Sequence, residues 1–371
     1  MMTPEEIEKL QTAFTKFSTD LESFLIDQIV RSITKAGKIT EDAAYQIYKS
    51  RELGIAEQAL TNELKKRLNM KDGDIRQLYQ DAAYGSYKSD LKRLGGQPLP
   101  LEAVGWLQDV LSGSLELTNG TLENITQTLG FVFQGRVLEL GEAYRQACDY
   151  AFEKTITGTQ DYLSAVAYAC DGLYKLGIRT IDYESGVHTS LEAAVRRSLI
   201  GGLGLVNEQI EHHISEELGT DGWEITAHEN SAPDHEPIQG LQYSNEEYER
   251  LNNSLVRRIG TLNCGHAAFP IMMGQPPQYS PEDLERMRSD NAKGHMINGR
   301  HYTGYEATQK QREFERAIRY QSRKLVGYKA AGDTERASQT NTKILELKRR
   351  YNAFSEEAEL RRQPERFRIS K

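Results

Sequence analysis

The chain has 371 residues and a formal net charge of −8, with 46 Lys and Arg against 54 Asp and Glu. That length exceeds what one hydrophobic core organises, so two or three domains are expected, and 38% hydrophobic residues exclude a disordered chain. No run of about 18 apolar residues marks a membrane span, Met1 to Glu22 lacks a basic start followed by an apolar stretch, and Cys148, Cys170 and Cys264 are too few, and odd in number, for a disulfide framework.

The expectation is therefore a protein made and kept in a cytoplasm, with reduced cysteines. At the start, Ile7, Leu10, Phe14, Phe17, Leu21 and Phe24 recur at intervals of three and four, which puts them on one stripe of an amphipathic helix. Gly37 can end that helix, and Thr40 ahead of Ala43, Ala44, Ile47 and Tyr48 predicts a capped second one. Gly95, Gly96, Pro98 and Pro100 form a break. Beyond it Leu115, Leu117, Leu122, Ile125, Leu129 and Val132 predict a further helical stretch. Residues 138–176 are rich in alanine and tyrosine, and place Cys148 and Cys170 on apolar helical faces as small core residues. Ser190 begins another helix expected to reach Leu218. His212 and His213 near its end are expected to be solvated. Gly201, Gly202 and Gly204 resemble a phosphate loop only superficially, since no strand precedes them and no Lys-Ser or Lys-Thr follows.

At Gly219 the pattern changes. Trp223, Ile225 and Ala227 alternate with Glu224, Thr226 and His228, a short strand signal. Pro233, Pro237, Gly240, Gly260, Pro270, Gly274 and Pro276 then punctuate a compact mixed module. Ser280-Pro281 restarts helix, and two heptad series, Phe314 to Tyr328 and Ile344 to Ala358, flank Ala330 to Asp333 as an antiparallel hairpin. The fold class read from this is mainly α: an elongated multi-helix body, a small compact α+β or irregular module and a C-terminal helical hairpin. The segments are 1–96, 97–219, 220–280 and 281–371.

Potential ligands concentrate in the module. His228 and His235 lie in one proline-containing loop, and Cys264 and His266 are two apart, so alternate side chains of an extended segment share a face. One thiolate and three imidazoles suit a tetrahedral zinc ion. The spacing is not that of a zinc finger, and the alternative is a hydrogen-bonded network supported by Gln239, Gly240 and Asn263. A thiol beside an imidazole also has the ingredients of a nucleophile, but no oxyanion-hole element accompanies it, so the chain does not read as an enzyme and no catalytic residue is assigned. Residues 306–371 hold 17 Lys and Arg against 10 Asp and Glu, about +7 on an otherwise acidic chain. Arg361, Arg362, Arg366 and Arg368 are the candidates for contact with DNA phosphate or a partner surface, the plain alternative being a solvated basic helix.

Four stretches carry a family likeness: 178–197 (IRTIDYESGVHTSLEAAVRR), 225–240 (ITAHENSAPDHEPIQG), 263–274 (NCGHAAFPIMMG) and 305–319 (YEATQKQREFERAIR). They resemble the phage minor capsid protein 2 family, relatives of the phage Mu F-like head-morphogenesis proteins. His228, Pro233, His235, Gln239, Gly240, Asn263, Cys264, His266 and Pro270 match the family pattern, which departs at Ala232 and Ile238. The resemblance implies a minor structural protein of a tailed-phage head, found in the virion interior or at the portal vertex and in the host cytoplasm during assembly. Its implied partners are the portal and/or major capsid protein, with a non-specific contact to packaged DNA and no membrane. The implied roles are head assembly and DNA packaging or ejection. The alternative is a nucleic-acid-associated protein with a metal-dependent or nuclease-like His/Cys site.

Overall fold

A computed structural model describes residues 4–54, 58–59, 62–63, 66, 72–182, 187–260 and 266–367. The opening stripe folds as α1 (Pro4–Gly37), burying Phe14, Leu21, Leu25, Ile29 and Ile33 to 2% exposure or less. The side chains of Ile7 and Leu10 lie outside the described residues. The helix α2 (Asp42–Ile47) continues into a π-helical turn (Tyr48–Leu53). Glu41 rather than Thr40 is its N-cap, with no side-chain capping bond; tertiary stacking of Tyr45 on Phe152, centroids 3.9 Å apart, holds the turn instead. Next come α3 (Asp72–Arg93) and α4 (Gly105–Gln127), separated by the expected Gly/Pro break.

The helical reading past Ile125 is corrected. Leu129–Phe133 is a strand, β1, paired antiparallel with β2 (Arg136–Glu139). Five consecutive buried residues carry no periodicity that separates a buried strand from a helix, and the reversal uses Gln134 and Gly135 at φ 47° and 80°, the primed-turn geometry that a Gln-Gly pair advertises less than Asn-Gly. Then follow α5 (Leu140–Ile156), α6 (Tyr162–Ala169), α7 (Asp171–Leu176), β3 (Arg179–Ile181), β4 (His188–Ser190) and α8 (Leu191–Leu218). The first sheet has order β2-β1-β3-β4. Ser190 caps α8 by accepting from Ala193 N–H at 3.2 Å, and Gly219 at φ 64° ends it.

The module contains β5 (Gly222–Ile225), β6 (Gln242–Ser244), α9 (Asn245–Ser254) and β7 (Ala268–Ile271), its sheet running β6-β5-β7. The strand stops at Ile225, short of Ala227. Its polar partner in the alternation, Glu224, does not face water. It is 1% exposed and accepts from Gln242 Nε2 and Gln278 N–H, at 3.0 and 2.8 Å. After α10 (Pro281–Lys293), a two-residue Asn298-Gly299 turn joins β8 (His295–Ile297) to β9 (Arg300–Tyr302). The hairpin is as the heptads predict: α11 (Gly304–Ala331) and α12 (Thr334–Glu357) meet across Gly332 and Asp333. The fold is thus mainly α with small antiparallel sheets, and among the described residues no helix is long and apolar enough to cross a membrane.

One core cluster runs from Phe14 through Leu107, Phe131, Leu173 and Ile214 to Tyr328 and Ala337. It therefore draws side chains from stretches 1–96, 97–219 and 281–371. The hairpin is bolted to this body by more than apolar contact. Arg323 Nη1 lies 3.5 Å from Glu22 and its Nε donates to Tyr174 O at 3.1 Å, while Arg319 pairs with Glu192 at 3.3 Å. Burial pushes the Glu22 carboxyl up, against the pull of Arg323.

Candidate functional site

The loop after β5 turns back on itself. His235 N–H and Glu236 N–H both donate to Ala232 O at 2.9 Å, and Gly240 N–H returns to Ile225 O at 2.8 Å. Gly240 needs its lack of a side chain: φ is 71°, and a Cβ would lie 2.4 Å from Leu284 Cδ2. From the other side, Thr226 N–H donates to Ala267 O at 2.8 Å and Ala267 N–H to Thr226 Oγ1 at 2.9 Å, which docks the start of β7 against the loop.

This register brings three of the four sequence-selected ligands together. The His228 ring stacks on His266 with centroids 4.1 Å apart, and His235 meets His266 edge-on at 5.2 Å. His235 and His266 are 2% and 3% exposed. Cys264, the fourth, and Asn263 lie outside the described residues.

Hydrogen bonds assign each ring its tautomer. Gln239 Oε1 receives the His228 backbone N–H at 3.1 Å, so that amide atom is the oxygen, and His266 Nε2, 2.9 Å from the same atom, is the protonated nitrogen. His235 Nε2–H donates to Arg257 O at 2.9 Å, and His228 Nδ1–H to Glu229 O at 3.0 Å. The lone pairs then reside on His235 Nδ1, His266 Nδ1 and His228 Nε2. The two Nδ1 atoms face each other at 3.4 Å, and His228 Nε2 is buried with no hydrogen-bond partner among the described residues. Burial, reinforced by the neighbouring imidazoles, pushes His266 down to about 3, and burial also lowers His228. The nearest carboxylate, Asp234, is occupied by Arg257. Among the described residues, no group of three His, Cys, Asp or Glu side chains stands ready-made around one point.

With this geometry in place, the comparisons are specific. The family model described as phage minor capsid protein 2 matches residues 2–356. The chain belongs to that family. No curated protein and no solved structure matches it.

A structural role in the phage head accords with a cluster in which His235 and His266 are sealed away from solvent and His228 is half-buried. Within this minor capsid fold, Gln239 is the hub the motif supplies: one amide oxygen fixes a backbone and a ring. Ile238 packs against the apolar cluster of Trp223, Ile225, Ile259 and Ala268.

Of the basic candidates, Arg361 and Arg362 are exposed, with Arg362 3.6 Å from Glu356. Arg366 folds back, Nη1 3.9 Å from Glu315, and so does not point outward as the hairpin pattern implied. Its helical turn (Pro364–Phe367) lays Phe367 edge-on against Tyr351, centroids 5.0 Å apart. Arg368 lies outside the described residues. Cys148 and Cys170 are buried, and burial raises both thiols, Cys170 to about 12. Gly201 and Gly202 sit inside α8, where a Cβ on Gly202 would lie 2.3 Å from Thr118 Oγ1, so Gly202 serves helix packing. His213 is half-buried, stacked on Trp106 at 3.9 Å, while His212 is exposed with its edge toward Trp223.

One buried polar network escaped the sequence reading. Glu211 and Asp90, each 1% exposed, approach across α8 and α3, with Ser86 and Asn207 between them. The signal was present: Glu211 follows Ile210 on the face that Val206 and Ile214 bury.

Proposed function

We propose that this minor capsid protein sits at or near the portal vertex inside the head, assembled from the host cytoplasm. There it would contact the portal and/or major capsid protein and act in head assembly and in DNA packaging or ejection. The observation that carries the reading beyond the family is the division of charge. A basic hairpin, 17 Lys and Arg against 10 Asp and Glu over residues 306–371, is held on an otherwise acidic body. Lys343 and Arg350 on α12, with Arg361 and Arg362 beyond it, are exposed. In a filled head the abundant anion is DNA phosphate, and such contacts are salt-sensitive and indifferent to sequence. Burial of His235 and His266 favours a structural use of that cluster over a nuclease-like one, since a buried ring does not reach a scissile phosphate.

Mass spectrometry of purified particles tests membership of the virion, and reconstruction of the particle tests the place. Density for this chain only on the outer shell overturns the vertex assignment. For the DNA contact, the full chain is titrated with duplex DNA at two salt concentrations, beside a variant with Lys343, Arg350, Arg361 and Arg362 changed to Glu. Weak binding that the variant loses is expected, with the salt slope falling by about 3 to 4 if all four meet phosphate. Equal binding by both proteins removes DNA from the function.

A further inference from the structure

We propose that His235 and His266 hold a zinc ion between their Nδ1 atoms, with His228 as the third imidazole ligand.

Three independent features converge on this. The first is spacing. Two imidazole nitrogens at about 2.05 Å from a tetrahedral zinc are about 3.3 Å apart, with ring centroids about 5 Å apart. The His235 and His266 nitrogens are 3.4 Å apart and their centroids 5.2 Å. The second is tautomer. Each ring spends its N–H on a carbonyl-type oxygen, Arg257 O, Gln239 Oε1 or Glu229 O, and presents the other nitrogen as a lone pair. That is the outer-shell arrangement which orients metal-bound histidines and raises their basicity. The third is the His228 Nε2 atom, a buried acceptor with no hydrogen-bond partner among the described residues.

A shared proton is the competing occupant of the Nδ1 pair. It would place an imidazolium in a site 2% to 3% exposed, where Asp234 Oδ2 lies 3.8 Å from His235 Nε2 but is shared with Arg257, a costly arrangement. His228 is not yet in ligand position. Its ring stacks on His266 with centroids 4.1 Å apart, about 1 Å closer than two ligands of one zinc ion allow, so the ring slides outward when the ion enters. Imidazole nitrogens suit zinc among the abundant divalent ions, and exclude magnesium and calcium. A module whose apolar cluster has Trp223, Ile225, Ile259 and Ala268 as its buried members is the kind that a metal staple stabilises most.

The test uses the full chain, freed of metal and titrated with Co2+ as the spectroscopic stand-in for Zn2+. One Co2+ per chain with visible d–d bands, displaced by Zn2+, is expected. His235→Gln and His266→Gln should abolish it, His212→Gln should leave it intact, and Gln239→Leu should weaken it about 10- to 100-fold through the lost outer-shell acceptor. Circular dichroism on each variant separates loss of ligand from loss of fold. If either ligand variant fails to fold, long-range 15N NMR of wild-type histidines on adding Zn2+ decides: shifts at the Nδ1 atoms of His235 and His266 support the site. No Co2+ uptake, uptake that survives both ligand substitutions, or unmoved Nδ1 signals overturn it. None of these outcomes bears on the place of the chain in the head.

Discussion

The helical body and the module between β5 and β7 solve the same problem by different means. In the body, a single cluster from Phe14 to Ala337 excludes water with large side chains such as Tyr79, Phe131 and Leu107, each fully buried. In the module the buried apolar members are Trp223, Ile225, Ile259, Ala268, Phe269 and Ile271, and beside them lies a polar interior: His235, Gln239, Glu224, Ser231, Asn252 and His266 are 5% exposed or less. Non-directional burial tolerates many sequences, whereas a buried polar interior works only if every donor finds its acceptor. The body is therefore specified more by pattern and the module more by identity, and two of the four stretches that carry the family likeness, 225–240 and 263–274, lie in the module.

The sharpest way to break that contrast is Trp223→Ala. Trp223 lies between Tyr248, stacked at 5.2 Å, and His212 at 5.1 Å, and such truncations cost about 3–5 kcal/mol. Hydrogen exchange should lose protection at 222–225 and 268–271 while α1 keeps it. Equal loss in α1 would mean that body and module unfold as one unit. Next is Gly327→Ala in the joint between hairpin and body. A Cβ there would lie 2.2 Å from Tyr174 Cε1, a ring carbon walled in by the core. Overpacking of this kind costs about 1–3 kcal/mol, read as a lower Tm; an unchanged Tm would show that the hairpin is not pressed on α7.

Gln239→Leu attacks the module's polar logic with little change of volume. The His228 N–H and the His266 Nε2–H would lose their common acceptor, and a buried donor left unmet costs about 1–3 kcal/mol. Denaturant titration should show a loss of that size. The NMR tautomer of His266 should become mixed. A variant as stable as the parent would mean that the module relies on its apolar members after all.

How much of this was legible follows from the same contrast. The heptads of α11 and α12 and the stripe of α1 are spacings, and spacing is visible in a sequence. The meeting of His228, His235 and His266 was legible because the residue types are rare and the loop is closed by prolines and glycines. The β1–β2 hairpin was not, because Leu129 to Phe133 is uniformly apolar and its turn lacks the usual Asn or Asp. Nor was the inward turn of Arg366, since a basic residue beyond the last helix looks solvated until Glu315 is placed beneath it. Glu224 and Glu211 were missed for one reason: a carboxylate on an alternating strand or a helical face reads as the wet side unless its partners are already in view.

Glu211 gives the smallest effect and the cleanest sign. Its carboxyl is pushed well above the ordinary range, first by burial and then by the charge of Asp90 beside it, while Asp90 is paired with Arg93 at 2.8 Å. The native state thus holds a proton that the unfolded chain releases once pH passes the ordinary carboxylate value. Above that value the native state binds more protons than the unfolded one, so stability falls as pH rises until the folded-state pKa is passed. Glu211→Gln keeps the shape and removes the titration. Near the ordinary carboxylate pKa the two proteins should melt together. As pH increases the wild type should lose Tm while the variant holds, so the variant's advantage grows with pH. Parallel Tm curves for the two proteins would show that Glu211 carries no retained proton.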